Sequence, residues 1–186
     1  MNKNEKNQLI SKKNEALTNF NQFFFTRAID LLEDIIIEDD KDYKCFFLLG
    51  TSYLHINNLD ISEKNLKISI KLNNKYYDST HNLGVVYQLK KNYNDAINLF
   101  SKAIELKPRN LVSLTHLAEV YEKVKSFDKS KQYYEAILKI ESRNLKANQG
   151  LARIYIKFGY HKQGLQFLQK STGLIRFKDK NFEIIT

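Results

Sequence analysis

A chain of 186 residues with 42% hydrophobic and 12% aromatic side chains can build a core, which excludes wholesale disorder. One proline, six glycines and no tryptophan leave little turn chemistry, so a sheet protein with frequent Gly, Pro and Asn-Gly turns is excluded in favour of helices. The formal charge of +9 admits an acidic partner, yet a Lys-, Asn-, Ile- and Tyr-rich mixture of the kind an AT-rich genome produces accounts for it without one.

In chain order, residues 1–8 read as a polar N-terminal extension, and "MNKNEKNQLISKKNEALTNF" has no apolar run of signal-peptide length. Residues 9–42 carry Ala16, Phe25, Ala28, Leu32 and Ile35 in a degenerate form of a pattern that recurs more plainly downstream. Residues 43–76, 77–110, 111–144 and 145–178 align without a gap at a period of 34. Leu49, Leu83, Leu117 and Leu151 form one column, followed directly by the small residues Gly50, Gly84, Ala118 and Ala152. Tyr53, Tyr87, Tyr121 and Tyr155 stand three positions further on. The second half of the unit is clearest in Ala96, Phe100, Ala103 and Pro108; Ser62 with Leu66, Ser130 with Tyr134, and Gly164 with Leu168 take the places of Ala96 and Phe100. Residues 179–186 form a C-terminal tail. The stretch "LIRFKDKNFEIIT" reads first as a segment closing the last repeat, with a hairpin of "LIRF" and "FEII" about a polar turn as the alternative.

These columns resemble the tetratricopeptide repeat, whose 34-residue pattern sets Leu-Gly, Tyr, Ala, Phe and Pro at such intervals. The resemblance implies an all-α fold, a right-handed α-solenoid of about five helix-turn-helix units over residues 9–178. Physically, Gly84 and Ala96 let paired helices approach closely, Tyr87 and Phe100 fill the space between repeats, and Pro108 stops the second helix. In that family the first helices line a concave groove. By resemblance Phe47, Thr51, His81, Asn82, Gln88, His116, Glu119, Gln149 and Arg153 lie on it, and His55 faces it too. Amides, histidines and charges at helical spacing suit an extended peptide, whose backbone groups need partners. A merely solvated concave surface is the alternative.

Nothing in the chain reads as catalytic. No GxGxxG, GxSxG or HExxH occurs, and "GYHKQGLQ" places Leu165 and Gln166 where a phosphate loop needs Lys and Ser or Thr. No cofactor is expected. The histidine separations give no short metal-ligand spacing, so no metal is expected either. The lone Cys45, among apolar neighbours, reads as a buried small side chain. Co-chaperone members of the family clamp a C-terminal carboxylate through Lys, Asn, Asn, Lys and Arg. Phe47, Thr51, Asn82, Val112 and His116 hold those positions here, and only Asn82 matches.

Charge is distributed unevenly: residues 9–42 carry four basic and eight acidic side chains, whereas 145–178 carry seven basic and no acidic ones. Opposite ends could attract head to tail, a heterologous contact, or the basic end could dock an acidic partner. The sequence therefore reads as a non-catalytic, cytoplasmic scaffold holding a protein or peptide segment in the concave groove, with no membrane span. One alternative is an accessory repeat domain of a larger bacterial enzyme, a transferase or oxygenase. Another is RNA binding through the basic C-terminal end, although no aromatic-basic stripe supports stacking of bases.

Overall fold

The computed structural model describes residues 3–172, 175–178 and 181–184. They form ten α-helices followed by one hairpin, and the chain divides into two compact units, Met1–Leu106 and Lys107–Thr186. The first unit holds α1 (Lys3–Asn21), α2 (Phe25–Glu38), α3 (Tyr43–His55), α4 (Leu59–Leu72), α5 (Tyr77–Leu89) and α6 (Tyr93–Leu106). The second holds α7 (Leu111–Lys123), α8 (Phe127–Ile140), α9 (Leu145–Lys157), α10 (His161–Thr172) and the strands β1 (Ile175–Lys178) and β2 (Asn181–Ile184).

Within each unit, the repeat columns become the core. Leu49, Leu83, Leu117 and Leu151 are buried, as are Ala96, Phe100 and Ala103 of α6. A Cβ added at Gly84 would stand 2.8 Å from the Phe100 ring, so the small residue is what allows α5 and α6 to pack at this distance. In the degenerate first repeat, Ala16, Ala28, Leu32 and Ile35 are buried together with Leu49, which joins α1 and α2 to the same core as α3.

The turn inside each helix pair repeats more strictly than the sequence does. Phe23, Asn57, Lys91, Lys125 and Gly159 all have positive φ. They stand 34 residues apart, one per repeat. At each, two backbone hydrogen bonds close the preceding helix: Asn57 N–H donates to Leu54 C=O and Asn58 N–H to Tyr53 C=O, and the same pair recurs at the other four turns. This is the Schellman arrangement, which satisfies carbonyls that a helix end leaves unpaired. Its presence at Phe23 gives the α1–α2 pair the same turn. At the starts of the first helices, Asp42, Asn110 and Asn144 cap α3, α7 and α9 through their side chains.

The tail takes the second of its two readings. β1 and β2 pair antiparallel, Ile175 opposite Ile184 and Lys178 opposite Asn181.

The acidic first end is partly neutralised from within. Lys13 Nζ lies 2.8 Å from Asp39 Oδ2 and 2.7 Å from Asp42 Oδ2, and Lys12 Nζ lies 2.7 Å from Glu38 Oε1. These pairs tie α1 to the turn between α2 and α3. Cys45 is buried beneath them, and burial followed by the charge of Asp42 pushes its thiol up to about 12, so it stays protonated and unreactive.

Candidate binding face of the first helices

In the first unit the face falls on α3 and α5. Phe47 is half-buried, its ring edge-to-face with Tyr76 at 5.2 Å. Thr51 is buried, and its Oγ1 accepts a hydrogen bond of 2.9 Å from Asn82 Nδ2. His81 is buried as well, its ring 5.6 Å from Tyr77 and 5.5 Å from Phe100. Asn82 and Gln88 are half-buried. His55 stacks flat on Phe25 at 4.2 Å, and its partial burial lowers its pKa, so it is neutral at pH 7. Thr51 and His81 thus serve largely to join neighbouring helices. Helical position alone does not reveal how closely the next first helix approaches.

Beside this face, a carboxylate network fixes α4 against α5. Glu63 accepts hydrogen bonds from Lys67 (2.6 Å), Lys90 (2.7 Å) and the Tyr87 hydroxyl (2.9 Å). Partial burial would raise its pKa, but these donors outweigh it and hold the carboxyl down at about 2. The repeat's tyrosine column therefore carries a polar tip as well as a core ring. Tyr53 does the same through Glu33.

In the second unit the face falls on α7 and α9. Glu122 accepts from Arg153 Nε at 3.1 Å and from Nη2 at 3.0 Å, while the Tyr134 hydroxyl donates to Glu122 at 3.1 Å. The two-pronged pairing matches the planar guanidinium to the carboxylate. The structure thus brings Arg153 together with Glu122, another position that the repeat pattern puts on this face. Their separation of 31 residues, one turn less than the repeat, is also that of Thr51 and Asn82 and was the available signal. His116 Nδ1 lies 3.9 Å from Glu119 Oε2. Burial is the main cause that lowers the His116 pKa, opposed by Glu119 and aided by Lys146. A shallow cavity of about 190 Å³ lies beside it, lined by Leu111, Val112, Thr115, His116, Asn144 and Lys146. Gln149 is half-buried on α9. Among the described residues no group of three or more His, Cys, Asp and Glu side chains is arranged to hold a metal.

This arrangement can offer amide, imidazole and carboxylate partners to a polypeptide. Residues 78–110 and 112–144 each match a sequence model of the tetratricopeptide repeat, so the chain carries repeats of that family. A stretch of 89 residues, 47% of the chain, is 29% identical to the BBSome complex member BBS4 of Bos taurus, and spans 17% of that protein. Among solved structures, the chain is similar to MamA, with a TM-score of 0.78 and 20% identity over 83% of this chain and 91% of that one. It is likewise similar to MamA from Desulfovibrio magneticus RS-1, with a TM-score of 0.81 and 14% identity over 87% and 92%. The likeness is one of fold: the chain is an all-α helical repeat of the solenoid class. Such repeats support a protein-interaction scaffold in general terms. No helix among the described residues is long and apolar enough to cross a membrane.

Proposed function

We propose that the chain is a non-catalytic scaffold whose first-helix faces hold a peptide or protein segment. One observation carries the reading. The leucine column of Leu49 to Leu151 and the tyrosine column of Tyr53 to Tyr155 do not change between repeats, whereas other first-helix columns differ each time: Phe47, His81, Thr115 and Gln149 in one, Thr51, Val85, Glu119 and Arg153 in another. Core packing asks for sameness, so the varying residues that are not buried, Phe47, Val85, Glu119, Gln149 and Arg153, are free to be set by a partner. Half-buried amides at Asn82, Gln88 and Gln149 suit the backbone groups of an extended segment. Glu119 and Arg153 add charge and His116 an imidazole, with Phe47, Thr51 and His81 shaping the floor beneath. In this reading repeats 9–42, 43–76, 77–110, 111–144 and 145–178 are the functional units, no cofactor or metal takes part, and the cytoplasm is the compartment.

The test is affinity capture from lysate of the source cell, comparing the wild type with a Gln88→Ala, Gln149→Ala variant of equal helicity. A Lys102→Ala, Lys139→Ala variant, altered on the second helices, is the control. Loss of a partner in the first variant alone supports the reading; equal loss in both, or in neither, contradicts it.

The β1–β2 hairpin favours a second reading, an accessory repeat domain of a larger enzyme, in which these strands begin a further sheet. A binding partner captured in trans through the first-helix face would count against it.

A further inference from the structure

Two surface features depart from the repeat to which they belong. The first is Ile37, in the last turn of α2, which is 83% exposed. Its column elsewhere is charged, with Lys71, Glu105 and Lys139, all exposed as a residue at this place should be. An isoleucine so exposed at the end of a well-packed helix gains nothing from its own fold. Asp34, one turn before it, and Asp40, just after the helix, are also exposed.

The second is an aromatic cavity of about 240 Å³ where α8 begins and α9 ends, lined by Phe127, Ile154, Tyr155, Phe158 and Tyr160, with Asp128 and Lys131 beside them. Phe127 and Phe158 meet edge to face at 5.4 Å, and Tyr155 and Tyr160 do so at 6.2 Å. Phe158 is 54% and Tyr160 56% exposed. In the three preceding repeats Asn58, Asn92 and Ser126 stand where Tyr160 does, and only Phe24 of the first helix pair is aromatic there too. Two cations, Lys131 and Lys157, stand on its rings against one lining carboxylate, Asp128. Lys157 Nζ lies 4.6 Å from the Phe127 ring and Lys131 Nζ 4.9 Å from the Tyr155 ring. No acidic residue occurs anywhere in 145–178. The occupant this cavity fits is an apolar side chain flanked by carboxylates.

We propose that Ile37 of one copy, with Asp34 and Asp40 beside it, seats in the Phe127/Tyr155/Phe158/Tyr160 cavity of a second copy, with Lys131 and Lys157 facing the carboxylates. The two surfaces are different, so the contact is heterologous, and each copy presents both halves. Unless the rotation closes a ring, the product is an open chain of copies. Charge steers the approach and apolar burial holds it, so salt weakens the association without abolishing the apolar part. This proposal is independent of the first-helix face.

The experiment is sedimentation of the full chain over a concentration series at low and high salt. One variant is Ile37→Lys, which installs the residue type of Lys71 and Lys139. The other is Phe158→Lys with Tyr160→Asn, which reproduces the turn at Lys90 and Asn92. Both borrow from the chain's own repeats, and circular dichroism checks that each keeps the wild-type helicity. The wild type is expected to grow in mass with concentration, passing dimer, with a dissociation constant raised several-fold by salt. Each variant alone is expected to sediment as a monomer, its constant raised at least tenfold. Mixed in equal amounts, the two variants each retain the half the other lacks, so they form a dimer and stop there. A wild type that stays monomeric at every concentration overturns the proposal. So does a variant that assembles like the wild type, or a mixture that remains monomeric.

Discussion

The guanidinium of Arg153 and the carboxylate of Glu122 are joined by two hydrogen bonds of 3.1 and 3.0 Å, linking successive first helices α7 and α9. The Arg153 side chain is 55% exposed, so solvent screens the pair. Arg153→Ala is expected to cost about 0.5 kcal/mol, within the usual range for such pairs. Arg153→Glu places two carboxylates together and costs more, and adding Glu122→Arg restores most of the loss. Urea denaturation of the two single variants and the double variant measures this coupling. A double variant no better than Arg153→Glu alone would mean the pair contributes nothing.

Positive φ at Lys91 and Phe23 is a standing cost in the helix-pair turns, because an L side chain crowds its own backbone there. Lys91→Gly and Phe23→Gly are each expected to stabilise the chain by about 0.5–1 kcal/mol, less the added freedom of the unfolded glycine. Gly159→Ala, at φ 82, should move the other way by a similar amount. Thermal melts of the three variants give the signs directly.

Small residues are set by contact both within a helix pair, as at Gly84, and between successive pairs, as at Gly150. A Cβ at Gly150 would fall 2.3 Å from the Tyr134 ring, closer than the 2.8 Å to Phe100 at Gly84. Both alanine variants overpack, and each is expected to cost about 1–3 kcal/mol, with Gly150→Ala the worse. The denaturation midpoint is the measurement, and equal midpoints for wild type and variants would refute the packing argument.

Two serines in one column should respond oppositely. Ser62 Oγ donates to Gly50 C=O at 2.7 Å in a buried site, so Ser62→Ala is expected to cost about 1 kcal/mol. Ser130 Oγ is buried with no hydrogen-bond partner, and Ala96 occupies the same column in the preceding repeat. Ser130→Ala should therefore be neutral or stabilising. Guanidinium titration of both variants compares the two directly.

The Glu63 carboxyl, held at about 2 against an ordinary 4.5, makes stability depend on acid. Its folded pKa is lowered, so the contribution is complete above pH 4.5 and is lost as pH falls toward 2. Glu63→Gln removes it. The stability gap between wild type and variant should be constant near neutrality and close between pH 4.5 and 2. A gap that does not change with pH would mean the carboxylate network is not what fixes α4 to α5.

The fold was legible in the sequence because its core depends on columns of like residues, such as Leu49 to Leu151 and the tyrosines four positions on. The Schellman turns were not, since Phe23, Asn57, Lys91, Lys125 and Gly159 share a backbone conformation and no side-chain type. Only Asn57 and Gly159 carry the usual chemical signal for it. On the first-helix face the sequence could name positions but not their use. Thr51 and Arg153 are held by Asn82 and Glu122, partners one turn short of a full repeat away, and His81 is covered by Phe100. Those facts follow from the spacing between neighbouring helices, which no single helix encodes. The exposed Ile37 and Tyr160 stood in plain view as breaks in their columns, and became informative only once their exposure was known.

The most direct test of the scaffold reading is site-specific photocrosslinking in the source cell. A photoreactive residue is placed in turn at Gln88 and Gln149 on the first helices, and at Lys102 and Lys139 on the second helices. Crosslinks to a common partner from Gln88 and Gln149, with none from Lys102 and Lys139, are the predicted result. Crosslinks confined to the second-helix positions would contradict it.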